Sequence, residues 1–246
     1  IKIARIIYFC LKFNYIANVT HSNQVLVTWK TSKTKTLADA KGRVTTIGAS
    51  GAGSSSVQLP ALLNNLLGTK FKIIFGYRGG SAMDIAMERG EVEGRGSIPY
   101  ADYVATKPGW IEQGTVVPLV QVGMKKEAKM PNVPLLLDQA VKPEDRPVLE
   151  FFSRAATIGR PLATAPGVPK ERVAALRAAF QKTITDPKFI EDARRMKMDI
   201  SPMTGEELTE LVNGLLATPK QVQTKVISAL QPKQQDAQKV ASPKKA

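Results

Sequence analysis

Short apolar runs and longer runs with helical spacing alternate along the first two thirds of the chain. "QVLVTW" (Gln24–Trp29), "RVTTIGA" (43–49), "KFKIIFGY" (70–77) and "VVPLVQVG" (116–123) are brief and β-branched, and they read as buried strands. Between them the period changes to that of a helix. Thr36 or Ser32 is placed to cap a short helix through Ala38 and Ala40, which Gly42 stops. In "SSVQLPALLNNLLG" one face carries Leu59, Leu62, Leu63 and Leu66, Gly68 supplies the C-cap, and Pro60 is tolerable only near the first turn. Ser81 heads a third helix with Met83, Ile85, Ala86 and Met87, ended by Gly90. "EVEGRG" then reads as a short strand leading into a turn, and "ADYVATKPGWIEQG" as further helix. Strand and helix alternating at this spacing imply an α/β fold with a parallel-rich sheet.

From about Arg154 the pattern shifts. "RAATIGRPLATAPG" reads as an extended crossover. "VPKERVAALRAAFQKTITD" is a helix with Pro169 at its first turn and Val173, Leu176, Phe180 and Ile184 on one face. Asp186 and Pro187 open another helix, with Phe189, Ile190 and Ala193 inward. Thr204 and Glu207 have capping-box spacing ahead of Leu208, Leu211, Val212 and Leu215. The basic tail from Pro232 has almost no apolar face and is expected to be disordered.

Composition narrows the function. The 246 residues are 43% apolar, enough for one large domain or two moderate ones. Lys and Arg number 35 against 21 Asp and Glu, a net charge of +14 that would suit nucleic acid or an anionic surface. The charge is scattered, however, aromatics are only 6%, and no zinc-finger, RRM or helix-turn-helix signature is visible, so nucleic acid is not an expected partner. The lone Cys10 can form neither an intrachain disulfide nor a thiolate metal site and reads as a small buried hydrophobe. The lone His21, in "VTHSNQ", has no triad context. Hydrolase and zinc-enzyme architectures therefore lack parts. The opening "IKIARIIYFCLKFNYIANV" is apolar and basic, but Lys12 and Asn14 interrupt it short of a membrane span. Without an initiator Met or a cleavage site, it reads as an internal strand and helix of a longer protein.

Two strand–turn–helix junctions carry the candidate chemistry. In "TTIGASGAGSSS" (45–56), Gly48 and Gly53 have the outer spacing of a phosphate-binding loop, but Ser54 stands where the lysine belongs. A dinucleotide fingerprint fails at Ser56, and the next strand ends in Tyr77 with no acidic residue. What remains is a turn whose backbone N–H groups, serine hydroxyls and helix start can hold a carboxylate or another small anion; the alternative is a tight turn with an ordinary cap. "GYRGGSAMD" (76–84) repeats the arrangement, with Gly79 and Gly80 permitting close approach and Tyr77 offering a hydroxyl and a flat face. Arg78 either points in to pair with an anion or is solvated, and surface is the favoured reading. Two such turns at the carboxyl ends of neighbouring parallel strands border one crevice.

"KTLADAKGR", "IGASGAGSSS", "FGYRGGSAMDIAMERGEVEG" and "APGVPKERVAALRAAFQKTITDPKF" together resemble, in order, segments of the tripartite tricarboxylate transporter substrate-binding proteins, the TctC-like or Bug family. The resemblance covers roughly residues 13–216. It implies a two-lobed periplasmic binding protein of type II, the Venus-flytrap form, that captures a small organic acid for integral membrane permease subunits, without a cofactor and without catalysis. It places the protein in the periplasm. It also implies a ligand site made of Ser50, Gly51, Gly53, Ser54 and Ser55 in the first turn, and of Tyr77, Gly79, Gly80 and Ser81 in the second. Asp84 is expected on the helix surface or in a capping network. Where the family loop usually has a histidine or similar polar residue, this chain has Val57 and Gln58, which leaves the ligand open. Nothing matches the family's opening strand and proline-glycine loop, so the first lobe is expected to be N-terminally incomplete.

The implied organisation is a first-lobe remnant and crossover strand over 1–29, a ligand-binding second lobe over 30–153, a mainly helical return to the first lobe over 154–231, and a disordered basic tail over 232–246. Two other readings stay open. One is a small-anion or nucleotide-dependent enzyme using Glu88, Glu91 and Glu93 as its carboxylates. The other is a truncated remnant that binds nothing.

Overall fold

A computed structural model describes residues 12–196, 198 and 200–240. Cys10, most of the opening segment and the last six residues of the tail lie outside them. The strands are β1 (Asn14–Asn18), β2 (Gln24–Trp29), β3 (Thr45–Ala49), β4 (Phe71–Phe75), β5 (Gly94–Pro99), β6 (Val116–Val122), β7 (Pro161–Thr164), β8 (Met203–Thr204) and β9 (Ala237–Lys239). The helices, in chain order, are α1 (Leu37–Gly42), α2 (Ser55–Leu67), α3 (Gly80–Glu88), α4 (Tyr100–Thr106), α5 (Arg146–Thr157), α6 (Lys170–Thr185), α7 (Pro187–Arg195), α8 (Gly205–Leu216) and α9 (Lys220–Ala229).

Six strands form one sheet in the order β6-β2-β5-β3-β4-β9, and β7-β1-β8 form a second. The parallel character expected from the sequence holds at the centre, where β3 pairs with β4 and β5, and at β4–β9. At the other side β2 runs antiparallel to both β5 and β6. Strand side chains alternate between faces. Leu26 and Ile47 join Leu59, Leu62 and Leu63 of α2 in the largest core, which α5 and α9 complete with Leu149 and Val226. Val25 and Val27 point the other way, toward Tyr103 of α4. On that face Gly48 lies beneath Met83 of α3 and Tyr77. Helices α2 and α3 thus begin at the same edge of the sheet on opposite faces. Each follows the carboxyl end of a parallel strand. In the small sheet β1 is covered by α6 through Val173 and Phe180, and by α8 through Leu208 and Val212.

One contact sets the height of α2 above the sheet. Pro60 lies inside α2 rather than in its first turn, so the Ser56 carbonyl loses its helical N–H partner. That carbonyl rests against Gly96 of β5, where any added Cβ would overlap it. At the opposite end of β5, Glu93 ties strands together. It accepts hydrogen bonds from Arg43 (2.7 Å), the Ser32 hydroxyl (3.0 Å) and the Thr46 N–H (3.3 Å). Burial opposes its charge, but those three donors hold its carboxyl below the usual range.

Several local readings are corrected. The tail is ordered to residue 240, because β9 adds to the open edge of β4 and Val240 N–H bonds the Phe75 carbonyl at 2.7 Å. Backbone pairing supplies the order that an apolar face does not. Arg154 is the last turn of α5, not extended chain, and it is tied to Glu150 at 2.8 Å. Ser81 sits inside α3, whose N-cap is Gly79 at φ 91°, a conformation that favours glycine. Ile85, Leu176 and Ile190 face solvent. On α6 the buried stripe is carried by Val173 and Phe180, seven residues apart, which leaves Leu176 at its margin. Helix α9, absent from the sequence reading, is ordered by Val222, Val226 and Leu230 against the main core. Thr36 and Thr204 do form capping boxes, each with the acidic residue three positions on.

Two outcomes follow. Gly96→Ala must push α2 off the sheet and should cost about 2–4 kcal/mol in denaturant unfolding, whereas Gly42→Ala, with open space around it, should cost under about 1 kcal/mol. Glu93→Gln should cost about 1 kcal/mol near neutral pH. Because the native carboxyl is shifted down, this difference is fully present above the ordinary value of 4.5 and vanishes as pH falls through the lower native value. Melting curves of the two proteins between pH 3 and 7 should therefore converge only at the acid end.

Candidate functional site

The glycine-serine turn is organised by a residue the sequence reading passed over. Ser56 Oγ accepts the Ser50 N–H at 3.0 Å, meets the Ser54 hydroxyl at 2.8 Å and lies 3.3 Å from the Ser50 hydroxyl. Ser54 Oγ also donates to the Gly51 carbonyl at 2.7 Å. Although Ser54 is the N-cap of α2, its side chain therefore caps nothing. Gly79, the N-cap of α3, has no side chain to offer. Both helices begin without a side-chain cap; the Val57 N–H turns back to the Ser54 carbonyl at 3.0 Å, which leaves the N–H groups of Ser55 and Ser56 in α2, and of Gly80, Ser81 and Ala82 in α3, without helical partners. Gly51 and Gly53 lie exposed at the tip of the turn.

The second turn is latched to the first. Gly76 N–H donates to the carbonyls of Ala49 (3.1 Å) and Ser50 (2.6 Å), and Tyr77 N–H to that of Ala49 (3.2 Å). Gly79 N–H is taken by the Tyr77 carbonyl at 2.9 Å. The Tyr77 ring packs over Gly48 and beside Ala86, Met87 and Val92. Burial there, with the nearby charge of Glu91, raises its phenol above the usual value. Arg78 is exposed, as the sequence reading had it.

Between the two helix starts lies a cleft of about 790 Å³. Ser55 reaches it from α2, Gly80, Ser81 and Asp84 from α3, and Arg95 and Ser97 from β5. Three of the nine residues assigned from sequence, Ser55, Gly80 and Ser81, are thus brought together in its wall. Ser50, Gly51, Gly53, Ser54, Tyr77 and Gly79 are outside its lining, in the turns that shape it. On the far rim Arg160, from the segment leading to the small sheet, is ion-paired with Asp102 of α4.

Two charged residues form the floor. Asp84 is not on the helix surface; it is 3% exposed and accepts a hydrogen bond from Arg95 Nη1 at 3.0 Å. Burial pushes its carboxyl above the usual range, and Arg95 opposes that push. Arg95 is 8% exposed, and its Nε is buried without a hydrogen-bond partner among the described residues. It passes beneath Gly80, where an added Cβ would overlap the guanidinium, and lies 5.8 Å from the centre of the Tyr103 ring. The legible signal was the "GRG" in β5, an arginine between two glycines in a buried strand.

No acid–base pair emerges from the glutamates. Glu88 pairs with Lys107 at 3.4 Å, Glu91 with Arg89 at 3.8 Å and Glu93 with Arg43 at 2.7 Å. His21 Nδ1 lies 2.8 Å from the Ser201 carbonyl, a link between segments rather than a relay. Among the described residues, no group of three or more His, Cys, Asp or Glu side chains is arranged to hold a metal ion, and no helix is long and apolar enough to cross a membrane.

The fold has known counterparts. A TctC solute binding protein from Polaromonas, solved without ligand, superposes with a TM-score of 0.61 at 20% identity, over 87% of this chain and 70% of that one. The periplasmic binding protein BugD gives 0.59 at 17% identity, over 92% and 71%. A protein of R. palustris solved with adipate gives 0.57 at 16% identity, over 89% and 69%. MatC from Rhodopseudomonas palustris, with bound malate, gives 0.55 at 16% identity, over 89% and 69%. The architecture is thus that of the α/β periplasmic binding proteins. A comparison with curated protein sequences finds no match. The family model described as "Tripartite tricarboxylate transporter family receptor" matches residues 4–228, and the chain belongs to that family.

Proposed function

We propose that the protein captures a small organic acid in the cleft between α2 and α3 and presents it to integral membrane permease subunits in the periplasm. The observation that carries this reading is the pair of helix starts, both without a side-chain cap, that converge on one cleft lined by Ser55, Gly80 and Ser81. Each helix start concentrates unpaired N–H donors and the positive end of its dipole, which favours a carboxylate. A cleft of about 790 Å³ falls in the range of sites that hold small ligands, roughly 300–1,000 Å³. Two structural relatives hold dicarboxylates, adipate and malate, which supports the same ligand class here. Capture needs no cofactor and no chemical step. The six-stranded sheet is the ligand-binding lobe in this reading. Closure of the small sheet over the cleft, through the Arg160–Asp102 contact, excludes water and strengthens each hydrogen bond to the ligand.

Thermal melting against a panel of mono-, di- and tricarboxylates, amino acids and nucleotides tests this directly. A ligand at about 100 times its Kd should raise the melting temperature by about 5–10 °C. Ser56→Ala, which removes the acceptor that folds the first turn, should weaken that ligand about tenfold while lowering stability by about 1 kcal/mol. A cooperative melt that no carboxylate moves would contradict the reading, as would stabilisation by nucleotides alone.

A further inference from the structure

A guanidinium carries five N–H donors in a rigid fork, and burying it is costly unless they are used. In this protein the Arg95 side chain is 9% exposed and donates a single hydrogen bond, from Nη1 to Asp84. No bond from Nε or Nη2 is found among the described residues, and Nε is fully enclosed. The residue nevertheless lines the cleft, beside Ser55 and Ser81. The protein also keeps space for it. Gly80 has no positive φ to require glycine, yet any side chain there would displace the guanidinium. Tyr103 closes the other side with its ring, and its own hydroxyl is buried without a partner among the described residues. An arginine that served only to neutralise Asp84 would need neither the cleft nor the unused donors.

We propose that Arg95 is the charge-selecting residue of the site: its Nη2, which Asp84 leaves unused, receives an anionic oxygen group of the ligand, while Asp84 holds the guanidinium in place. This rests on the reading of the cleft as a carboxylate site and deepens it. The two helix starts take one carboxylate by neutral donors, and Arg95 takes a second anionic group by a charge-assisted hydrogen bond from Nη2. The ligand class is then a dianion with its charges at two ends, not a monocarboxylate. Asp84 is a positioning residue. The Asp84–Arg95 pair is neutral by itself, so the second charge of the ligand is met by the unused guanidinium N–H and by the positive ends of the two helix starts.

The experiment uses the full chain with succinate, malate and adipate as probes, each compared with its monoamide, by isothermal titration calorimetry. The tightest dicarboxylate should bind at least about 30-fold more tightly than its monoamide. In the double variant Asp84→Asn/Arg95→Gln, which removes both buried charges together, that preference should fall to within about threefold. Arg95→Lys, which keeps charge but not the fork, should fall between. In parallel, the Arg95 Nη2–H resonances, assigned by their loss in Arg95→Lys, should move strongly downfield when the dicarboxylate is added to the unaltered protein. This readout needs only the conservative Arg95→Lys variant to fold. If the unaltered protein binds no carboxylate, the reading of the site falls and this inference with it. If it binds dicarboxylates but the double variant keeps the preference, or the Nη2–H signals do not move, the carboxylate site stands and Arg95 is not its selector.

Discussion

The closeness of α2 to β5 is the constraint on which the cleft depends. A helix carbonyl freed by Pro60 and a strand position with no side chain at Gly96 let the first turn of α2 sit directly on the sheet. That contact fixes where Ser55 and Ser56 stand. The residue before Gly96 points to the opposite face, so the same strand sends Arg95 under the first turn of α3. One short stretch of β5 thereby seats both helix starts, one through an absent side chain and one through a buried charge.

The two turns then act as one unit. Gly76 and Tyr77 donate to Ala49 and Ser50, and Ser56 gathers Ser50 and Ser54. The residues with the most ligand-like appearance in the sequence are therefore largely occupied with one another. What they leave available is the ends of the helices they shape. This division is physically sensible. A small anion held by several neutral N–H groups is desolvated without a full counter-charge, and such groups work only if a rigid frame holds them before the ligand arrives. Arg95 is the exception, a full charge held in the floor.

Much of the fold was legible in the sequence because its elements obey simple local rules. The limits of β2, the cap at Thr36, the capping box at Thr204, the C-cap at Gly68 and the leucine face of α2 all stand where period and cap chemistry put them. The order of β9 was not legible, since a strand added to an open edge depends on the partner's backbone and not on its own side chains. The exposed Leu176 shows the complementary failure: helical spacing marks a stripe, but the width of that stripe is set by what packs on it. At the candidate site, the sequence reading named the two turns and not the floor of the cleft between them. Asp84 and Arg95 lie eleven positions apart on different elements, and only the crossing of α3 over β5 brings them together. Charged residues in a sequence read as surface by default, and burial is a tertiary fact.

The most direct measurement is a crystal structure of the protein with the carboxylate that stabilises it most. The account places one carboxylate group within about 3 Å of the first-turn N–H groups of α2 and α3, in contact with the Ser55 or Ser81 hydroxyl. A ligand seated instead among Tyr100, Glu127 and Arg194, in the separate pocket at the edge of α4, would contradict it.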